Sequence, residues 1–563
     1  MQTLRTILAV LVAHLMIAFA SAQDAAAVTK GLDQWLKAYR ANKIDLGSRA
    51  EIGPNSIGRK SGALPKGLLG LLTAYREIEG MLDAAAKNES EGVLLAVLGV
   101  AAVEQDDVRY KPEAMAHSVR LLGEAALAHF TSEGSRTTLE KVVAEGAKGA
   151  PKGVAAGMQA AALRALATSG IESARSLARG AMENPDPDVR TAAADALGKR
   201  GTADDIGALT KALEAEREGN PLAALGMALL GIVQREKANL DQPTRDAVAS
   251  AVAAALGRSE WRVDMVLVDL AEATRSTKAI PALIDVLQRF VADSKAVRSG
   301  ALSGVLRYRA HEALLSLTGA AFPMEDPAKW REFWEKNSAT LTVSPEPAAR
   351  PAGATSSGFF GIPVRGTRVV FIVDLSGSMT AHIRPLNKTA SEGEYTSRLA
   401  VAQEQAWDSI QHLEEDAMFD IVAFNQEPMT WQGKLVPATE ANKKKAKKFI
   451  DEFQAKGGTN LWGGLMKALE FAPGSNAAKN ELALDEIFLL SDGAPTVGEI
   501  LDPREILRLV KDANATKRVR INTVFLQGEG SIDMDPQTKA GEMGPADLME
   551  NLAKDSGGSY VKR

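Results

Sequence analysis

The sequence predicts a multidomain chain, an N-terminal α-solenoid followed by a doubly wound α/β domain. Three observations carry this. Short amphipathic helical stretches recur from about residue 91 to 337. After Gly361 the character changes to continuous apolar runs, Val369-Val370-Phe371-Ile372-Val373 and Ile487-Phe488-Leu489-Leu490, separated by helical stretches. Between the two regions, 343–358 carries Pro345, Pro347 and Pro351 among Ala, Ser and Gly, a composition that cannot build a core and reads as an interdomain linker.

Length and composition set the outer limits. The chain has 563 residues, enough for three or four structural units. Hydrophobic residues make up 45% and charged residues 24%, as in ordinary soluble globular proteins. The net charge of −5 lacks the basic excess of a general nucleic-acid binder, so no nucleic-acid partner is expected. There are no cysteines, which excludes disulfides, thiolate metal sites and cysteine nucleophiles.

The first residues have the order of an export signal. A short basic start ending at Arg5 is followed by an apolar stretch over 6–20, then by Ala20-Ser21-Ala22, a small-x-small cleavage pattern. The apolar stretch is shorter than the roughly 20 residues of a spanning helix. The reading is a signal peptide at 1–22, with the mature chain crossing the inner membrane of a bacterium to the periplasm or the exterior. An uncleaved anchor is the alternative. No membrane span is expected after cleavage.

Residues 23–90 read as an N-terminal helical segment with a long loop. Leu32, Trp35, Leu36 and Tyr39 have helical spacing over 28–41, 43–66 is rich in Gly, Pro, Ser and Asn, and 67–86 is helical again. Residues 91–338 form the repeat region. In its clearest unit, Asp186 caps a helix with Pro187 at the first helical position. Val189, Ala192, Ala193, Ala196 and Leu197 line one face, Gly201 breaks the helix, and Thr202 with Asp205 can cap the next. Ile206, Leu209 and Leu213 are that helix's apolar face. Leu166 and Gly170 precede Leu197 and Gly201 by 31 residues. A helix pair this short must bury its face on neighbours. Through patterns such as Asp188-Val189-Arg190, the region resembles HEAT-type repeats; a non-repetitive helical domain is the alternative. Trp330, Phe333 and Trp334, after Asp326-Pro327, read as a hydrophobic cap on the last repeat. The linker is assigned to 339–360 and the α/β domain to 361–563.

In a doubly wound sheet, ligands bind beyond the carboxyl ends of the strands. The first apolar strand runs into Asp374-Leu375-Ser376-Gly377-Ser378, and the strand at 487–490 runs into Ser491-Asp492-Gly493. Lys456-Gly457-Gly458-Thr459-Asn460 is a Gly-rich turn opening a helix with Leu461, Leu465, Ala468 and Leu469 on its inner face. Two carboxylates and three hydroxyls could thus converge on one sheet edge. These are hard oxygen donors, suited to Mg²⁺, Mn²⁺ or Ca²⁺ rather than zinc or copper.

On these residues the region resembles a von Willebrand factor type A domain, a doubly wound, Rossmann-like fold with a metal-ion-dependent adhesion site. The family pattern Asp-x-Ser-x-Ser, with a distant Thr and a distant Asp, is filled by Asp374, Ser376, Ser378, Thr459 and Asp492. The resemblance implies that Ser376 and Ser378 bind the metal through their hydroxyls and Thr459 binds directly or through water. Asp374 and Asp492 would act through water or by orienting the hydroxyls. It also implies a binding protein, with a protein partner's carboxylate completing the metal's coordination and the repeats offering a second interaction surface. Mg²⁺ is the expected ion. A metal-dependent hydrolase and a structural subunit of an envelope assembly are the alternatives. No spare general base is placed near the metal, so no catalytic residue is assigned and the chain is read as a non-enzyme.

Four weaker signals complete the reading. The polar segment 380–397 either shapes partner choice beside the metal or is a plain surface insertion. His311-Glu312-Ala313-Leu314-Leu315 lacks the second histidine of a zinc-protease helix. Lys443, Lys444, Lys445, Lys447 and Lys448 read as a solvated helix face. Asp533 and Asp535 lack the spacing of a calcium loop.

Overall fold

A computed structural model describes residues 25–40, 77–78, 80–102, 119–148, 150, 154–344, 358–384, 395–415, 417–469, 484–493, 495–527 and 543–563. The readings on 1–22, on the loop 43–66, on 345–357 of the linker, on 385–394 and on Asp533 and Asp535 lie outside these residues. The chain divides into two compact units, one of residues 1–259 with 269–279, the other of 260–268 with 280–563.

The first unit is helical: α1 (Ala25–Arg40), α2 (Glu91–Ala101), α3 (Val119–Leu127), α4 (Glu133–Glu145), α5 (Ala155–Thr168), α6 (Ser173–Ala181), α7 (Pro187–Arg200), α8 (Ile206–Ala215), α9 (Gly219–Arg235) and α10 (Gln242–Ala255). The division runs through α11 (Trp261–Thr274). Alternate helices stack: α7 lies between α5 and α9, α6 packs on α4, and α10 packs on α8. This two-layered stacking is the solenoid expected from helix pairs that cannot bury their apolar faces alone. Close approach uses small residues. At Gly123 of α3, a Cβ would fall 2.5 Å from the Ala101 backbone nitrogen at the end of α2, so only glycine fits.

The caps fall where the sequence places them. Asp186 accepts a hydrogen bond from the Asp188 amide at 2.9 Å, with Pro187 opening α7. Asp205 reaches back to the Thr202 amide at 2.9 Å. Asp205 is fully buried, and it also accepts from Arg175 at 2.7 Å and from Arg179. Burial opposes its charge, but the Thr202 amide and the two guanidinium groups together hold its carboxyl below the usual range.

Arg190, the arginine of Asp188-Val189-Arg190, makes a forked pair with the buried Glu216 at 2.8 and 3.1 Å. It also donates to the carbonyls of Asn184 and Pro185, both at 3.0 Å. One side chain thereby ties the turn before α7 to the end of α8. Removing it strands a buried carboxylate that keeps only the amides of Arg217 and Glu218. Arg190→Ala is expected to destabilise the repeats by about 2–3 kcal/mol, read as a lower urea midpoint in far-ultraviolet circular dichroism.

The second unit contains α12 (Ile280–Ala292), α13 (Ser294–Ser299), α14 (Gly304–Thr318) and α15 (Pro327–Asn337), followed by the sheet domain. Trp330 is fully buried, with Phe322 and His311 edge-on to its ring, while Phe333 and Trp334 are half-buried. His311 is a packing residue whose Nε2 lies 2.7 Å from the Phe322 carbonyl oxygen.

The sheet domain comprises β1 (Arg368–Asp374), β2 (His382–Ile383), β3 (Thr396–Ser397), α16 (Arg398–Gln411), β4 (Met418–Phe424), β5 (Pro428–Thr430), β6 (Val436–Pro437), α17 (Glu440–Asp451), α18 (Leu461–Leu469), β7 (Glu486–Ser491), α19 (Pro503–Lys517), β8 (Arg520–Phe525), α20 (Pro545–Ser556) and β9 (Tyr560–Lys562). The order across the main sheet is β5-β4-β1-β7-β8-β9, with β6 also on β4. The neighbours β4–β1, β1–β7, β7–β8 and β8–β9 are parallel, and β5 and β6 run antiparallel to β4. Strand β7 is buried along its whole length, which is why its centre reads as an apolar run rather than an alternating one. Strand β8 is equally buried but carries Arg520, Asn522 and Thr523, the last two hydrogen-bonded to Glu486 and to the Met549 carbonyl. In register across β1 and β7, Phe371 and Phe488 stack with centroids 5.5 Å apart.

Phe359 joins the same aromatic cluster, 5.7 Å from Phe371 and 5.6 Å from Phe488. Both it and Phe360 are buried, so packing of the sheet domain includes the last two residues of the stretch 339–360 assigned to the linker. Further contacts fasten α14 to the amino end of β7. Ser303, at its N-cap, donates to the buried Asp485 at 2.8 Å, which also accepts from the Arg368 amide at 2.9 Å. Glu486 accepts from the Arg365 and Gly366 amides at 2.8 and 2.7 Å, and the Arg365 guanidinium lies 3.5 Å over the Tyr308 ring.

Lys443 departs from the solvated face expected of its cluster. It is buried, and its Nζ donates to the Gln411 and Leu413 carbonyls at 3.0 and 2.7 Å. Gln411 ends α16 and Leu413 lies two residues beyond it. Carbonyls at a helix carboxyl end lack intrahelical donors, so a cation is favoured there.

Asp420 on β4 is buried and accepts from the backbone amides of Ile421, Gln432 and Lys434 at 2.7, 3.1 and 3.0 Å. Burial pushes its carboxyl up to about 6. A folded-state value above the unfolded one means that its stabilising contribution is full below about pH 4 and is lost as pH rises through 6. Asp420→Asn should be less stable throughout, because its amide nitrogen would face donor groups. Its stability should nevertheless fall less between pH 4 and 7, by on the order of 2–3 kcal/mol, measured by urea unfolding at a series of pH values.

Candidate metal centre

The chain leaves β1 toward β4 on one side, and β7 pairs with β1 on the other. The carboxyl end of β1 is therefore the switch point, where an open α/β sheet leaves a crevice. Asp374 ends β1, and Ser491 ends β7 with Asp492 immediately after it.

Asp374 is fully buried. Its Oδ1 accepts from the Ser376 amide at 2.7 Å and its Oδ2 from Ser491 Oγ at 2.6 Å. Burial, and then the charge of Asp492, push its carboxyl up to about 6, against the pull of the bonds from Ser376 and Ser491. Ser376 Oγ lies 3.0 Å from Ser378 Oγ, and Ser378 Oγ donates to Asp492 Oδ1 at 2.7 Å. Ser376, Thr459 and Asp492 are buried, whereas Ser378 is exposed. The cluster is thus closed below and open to solvent at Ser378.

Thr459 comes to the same place through the Gly-rich turn. Gly457 adopts φ +79°, a left-handed conformation that glycine takes without strain. The Gly457 carbonyl accepts from the Gly377 amide at 2.9 Å, and the Lys456 amide donates to the Leu375 carbonyl at 2.8 Å. The two loops are therefore zipped together by their backbones. The Thr459 amide donates to Thr496 Oγ1 at 2.8 Å, and its carbonyl accepts from the Thr496 amide at 3.0 Å. A Cβ on Gly493 would lie 3.9 Å from Ser378 Oγ and 4.0 Å from Thr459 Oγ1, so both hydroxyls flank that glycine.

All five residues singled out from the sequence therefore meet at one edge of the sheet. The donor set is two carboxylates and three hydroxyls. Among the described residues no group of three or more His, Cys, Asp and Glu is placed to hold a metal. A hydroxyl-rich set with two carboxylates fits a hard divalent ion that keeps water or accepts an outside oxygen ligand. It does not fit zinc.

Two neighbours were not legible as site residues. Ser491 orients Asp374 and is the residue directly before Asp492. Arg398 opens α16 and is buried, with Nη1 2.5 Å from Asp492 Oδ2 and 3.4 Å from the Ser378 carbonyl oxygen. Nothing in its local sequence sets it apart from other arginines near a helix start. The ends of the 380–397 segment pair as β2 and β3, His382 opposite Ser397 and Ile383 opposite Thr396. That pairing places Arg398 beside the Ser376–Ser378 loop.

Comparison with known proteins bears on the two architectures. Residues 367–562 match the family model of the von Willebrand factor type A domain, and 155–229 match that of HEAT repeats. Among curated proteins, inter-alpha-trypsin inhibitor heavy chain H1 of Mesocricetus auratus is 33% identical over 147 residues, covering 26% of this chain and 14% of that protein. Heavy chain H4 of Homo sapiens is 32% identical over 155 residues, covering 27% of this chain and 15% of that protein. The similarity thus spans about one seventh of these relatives' length. Of solved structures, a von Willebrand factor type A protein from Catenulispora acidiphila aligns at 18% identity and a TM-score of 0.25, covering 35% of this chain and 38% of that one. BatB from Bacteroides thetaiotaomicron aligns at 18% identity and a TM-score of 0.24, covering 35% of this chain and 89% of that one. The chain carries HEAT repeats followed by a C-terminal von Willebrand factor type A domain.

Proposed function

We propose that this chain is a divalent-metal-dependent binding and scaffold protein, exported to the periplasm or the cell exterior and without enzymatic activity. The observation that carries the reading is the convergence of Ser376, Ser378 and Thr459 with Asp374 and Asp492 at the switch point, with Ser378 the exposed member of the five. Ser376 and Ser378 would hold the ion through their hydroxyls, with Thr459 beside them. Asp374 fixes the loop by accepting the Ser376 amide, and Asp492 orients the Ser378 hydroxyl. A bound Mg²⁺, or Mn²⁺ or Ca²⁺ in its place, supplies a positive centre that can take a carboxylate oxygen from a protein partner. Both site carboxylates already accept hydrogen bonds from site hydroxyls or amides, which argues for holding rather than for general-base work.

The names of the curated relatives, heavy chains of inter-alpha-trypsin inhibitor, are those of components of a protein assembly and suit a scaffold role. The stacked helices offer a second, extended surface for a partner. Export rests on the signal-like residues 1–22, and no described helix is long and apolar enough to cross a membrane.

Pull-down from envelope fractions, with and without chelator, tests the reading. A specific partner should be retained by the wild-type chain in Mg²⁺ and lost both on chelation and in Ser378→Ala. Capture of the same partners by Ser378→Ala in chelator would overturn it.

A further inference from the structure

The metal centre contains a cation of its own. Arg398 and Asp492 form a desolvated ion pair, with side chains 8% and 0% exposed. Asp492 divides its two oxygens, Oδ1 accepting from Ser378 Oγ and Oδ2 from Arg398 Nη1. Arg398 Nε is buried with no hydrogen-bond partner. A guanidinium stripped of water and bonded through only part of its fork is costly to maintain. Its charge is directed at the metal-binding loops, on the Asp492 carboxylate and, at 3.4 Å, on the Ser378 carbonyl oxygen.

We infer that Arg398 is a positioning and charge-setting residue that weakens the hold of this site on a divalent ion and strengthens the ion's demand for an anionic ligand. The inference rests on the metal reading above. With both carboxylates ionised, the site without Arg398 would carry two negative charges and balance a divalent ion. Arg398 leaves one negative charge, so the loaded site keeps one uncompensated positive charge, and an outside carboxylate neutralises it. Metal and carboxylate then bind cooperatively, each raising the affinity of the other by the same factor. Loss of Arg398 frees one oxygen of Asp492, but Ser378 still holds the other, so the charge effect outweighs the loss of positioning. A like charge a few ångströms away in a partly buried site is worth more than a factor of ten in binding.

Calorimetric titration of the full chain with Mg²⁺, in chloride and in acetate as a carboxylate probe, tests this. Arg398→Gln should bind Mg²⁺ at least about tenfold tighter than wild type. Acetate should raise the apparent Mg²⁺ affinity of wild type and do so less in the variant. In chelator, Arg398→Gln should melt at a lower temperature than wild type, and Mg²⁺ should raise its melting temperature by more. A purely structural role would lower the melting temperature without tightening Mg²⁺ binding, and that result would overturn the inference. So would unchanged or weaker Mg²⁺ affinity in a folded variant, or equal acetate coupling. Arg398→Lys, which keeps the charge, should bind Mg²⁺ close to wild type, and tighter binding there would overturn the inference even if Arg398→Gln failed to fold. Absence of Mg²⁺ binding by the wild-type chain would instead overturn the metal reading itself.

Discussion

Asp374→Asn is expected to abolish divalent-ion binding while leaving the sheet domain folded. The side chain is fully buried and makes two short contacts, from the Ser376 amide and from Ser491 Oγ. Asparagine can keep both: its oxygen accepts the Ser376 amide, and its nitrogen donates to the serine hydroxyl. Shape and local bonding survive and the negative charge does not. Burial and the neighbouring Asp492 both disfavour that charge in the metal-free site. The variant should therefore melt at the same temperature as wild type, or higher, in chelator. Mutation of a neighbour supporting a metal's ligands typically costs 10–100-fold in affinity. Deleting one of only two carboxylates should weaken Mg²⁺ binding by on the order of 100-fold or more. Calorimetric titration with Mg²⁺ checks this, and a wild-type binding constant in the folded variant would refute the assignment of Asp374.

Phe488→Ala should produce the largest loss of stability. Phe488 lies mid-way along β7, fully buried, stacked on Phe371 of β1 and in contact with Phe359. Truncation removes a ring from three-way aromatic packing between the two central strands, whose backbones cannot close the gap. Phenylalanine-to-alanine changes at such positions cost about 3–5 kcal/mol. Because β7 carries Ser491 and Asp492 at its carboxyl end, metal affinity should fall together with stability, unlike in Asp374→Asn. A urea midpoint from tryptophan fluorescence, with Mg²⁺ titration of the same sample, separates the two patterns. A loss under 1 kcal/mol would mean that the aromatic cluster is not the core of this domain.

Much of this was legible in advance because it depends on local sequence. Strands covered on both faces are largely apolar, so β1 and β7 announced themselves, whereas β8, with Arg520, Asn522 and Thr523 buried in it, shows no such continuous run. Caps such as Asp186 and the Thr202–Asp205 pair work over two or three residues and leave a readable pattern. The site pattern was legible because Asp374, Ser376 and Ser378 share one loop, and Asp492 follows directly from a second buried strand.

What the sequence determined by itself, then, was the order of architectures, the apolar strands, the caps, and which oxygen donors could meet at the sheet edge. Tertiary structure decided how that edge is charged and braced. Arg398 is 94 residues from Asp492, and its role depends on the pairing of β2 with β3 and on the depth at which α16 packs. Phe359 and Phe360 look like the end of a low-complexity stretch until the sheet supplies their partners. Lys443 belongs to a run of lysines until the end of α16 gives it two carbonyls. In each case the deciding interaction joins residues distant in the chain. Its energy comes from desolvation and pairing in the folded interior, which no local pattern of residue types encodes.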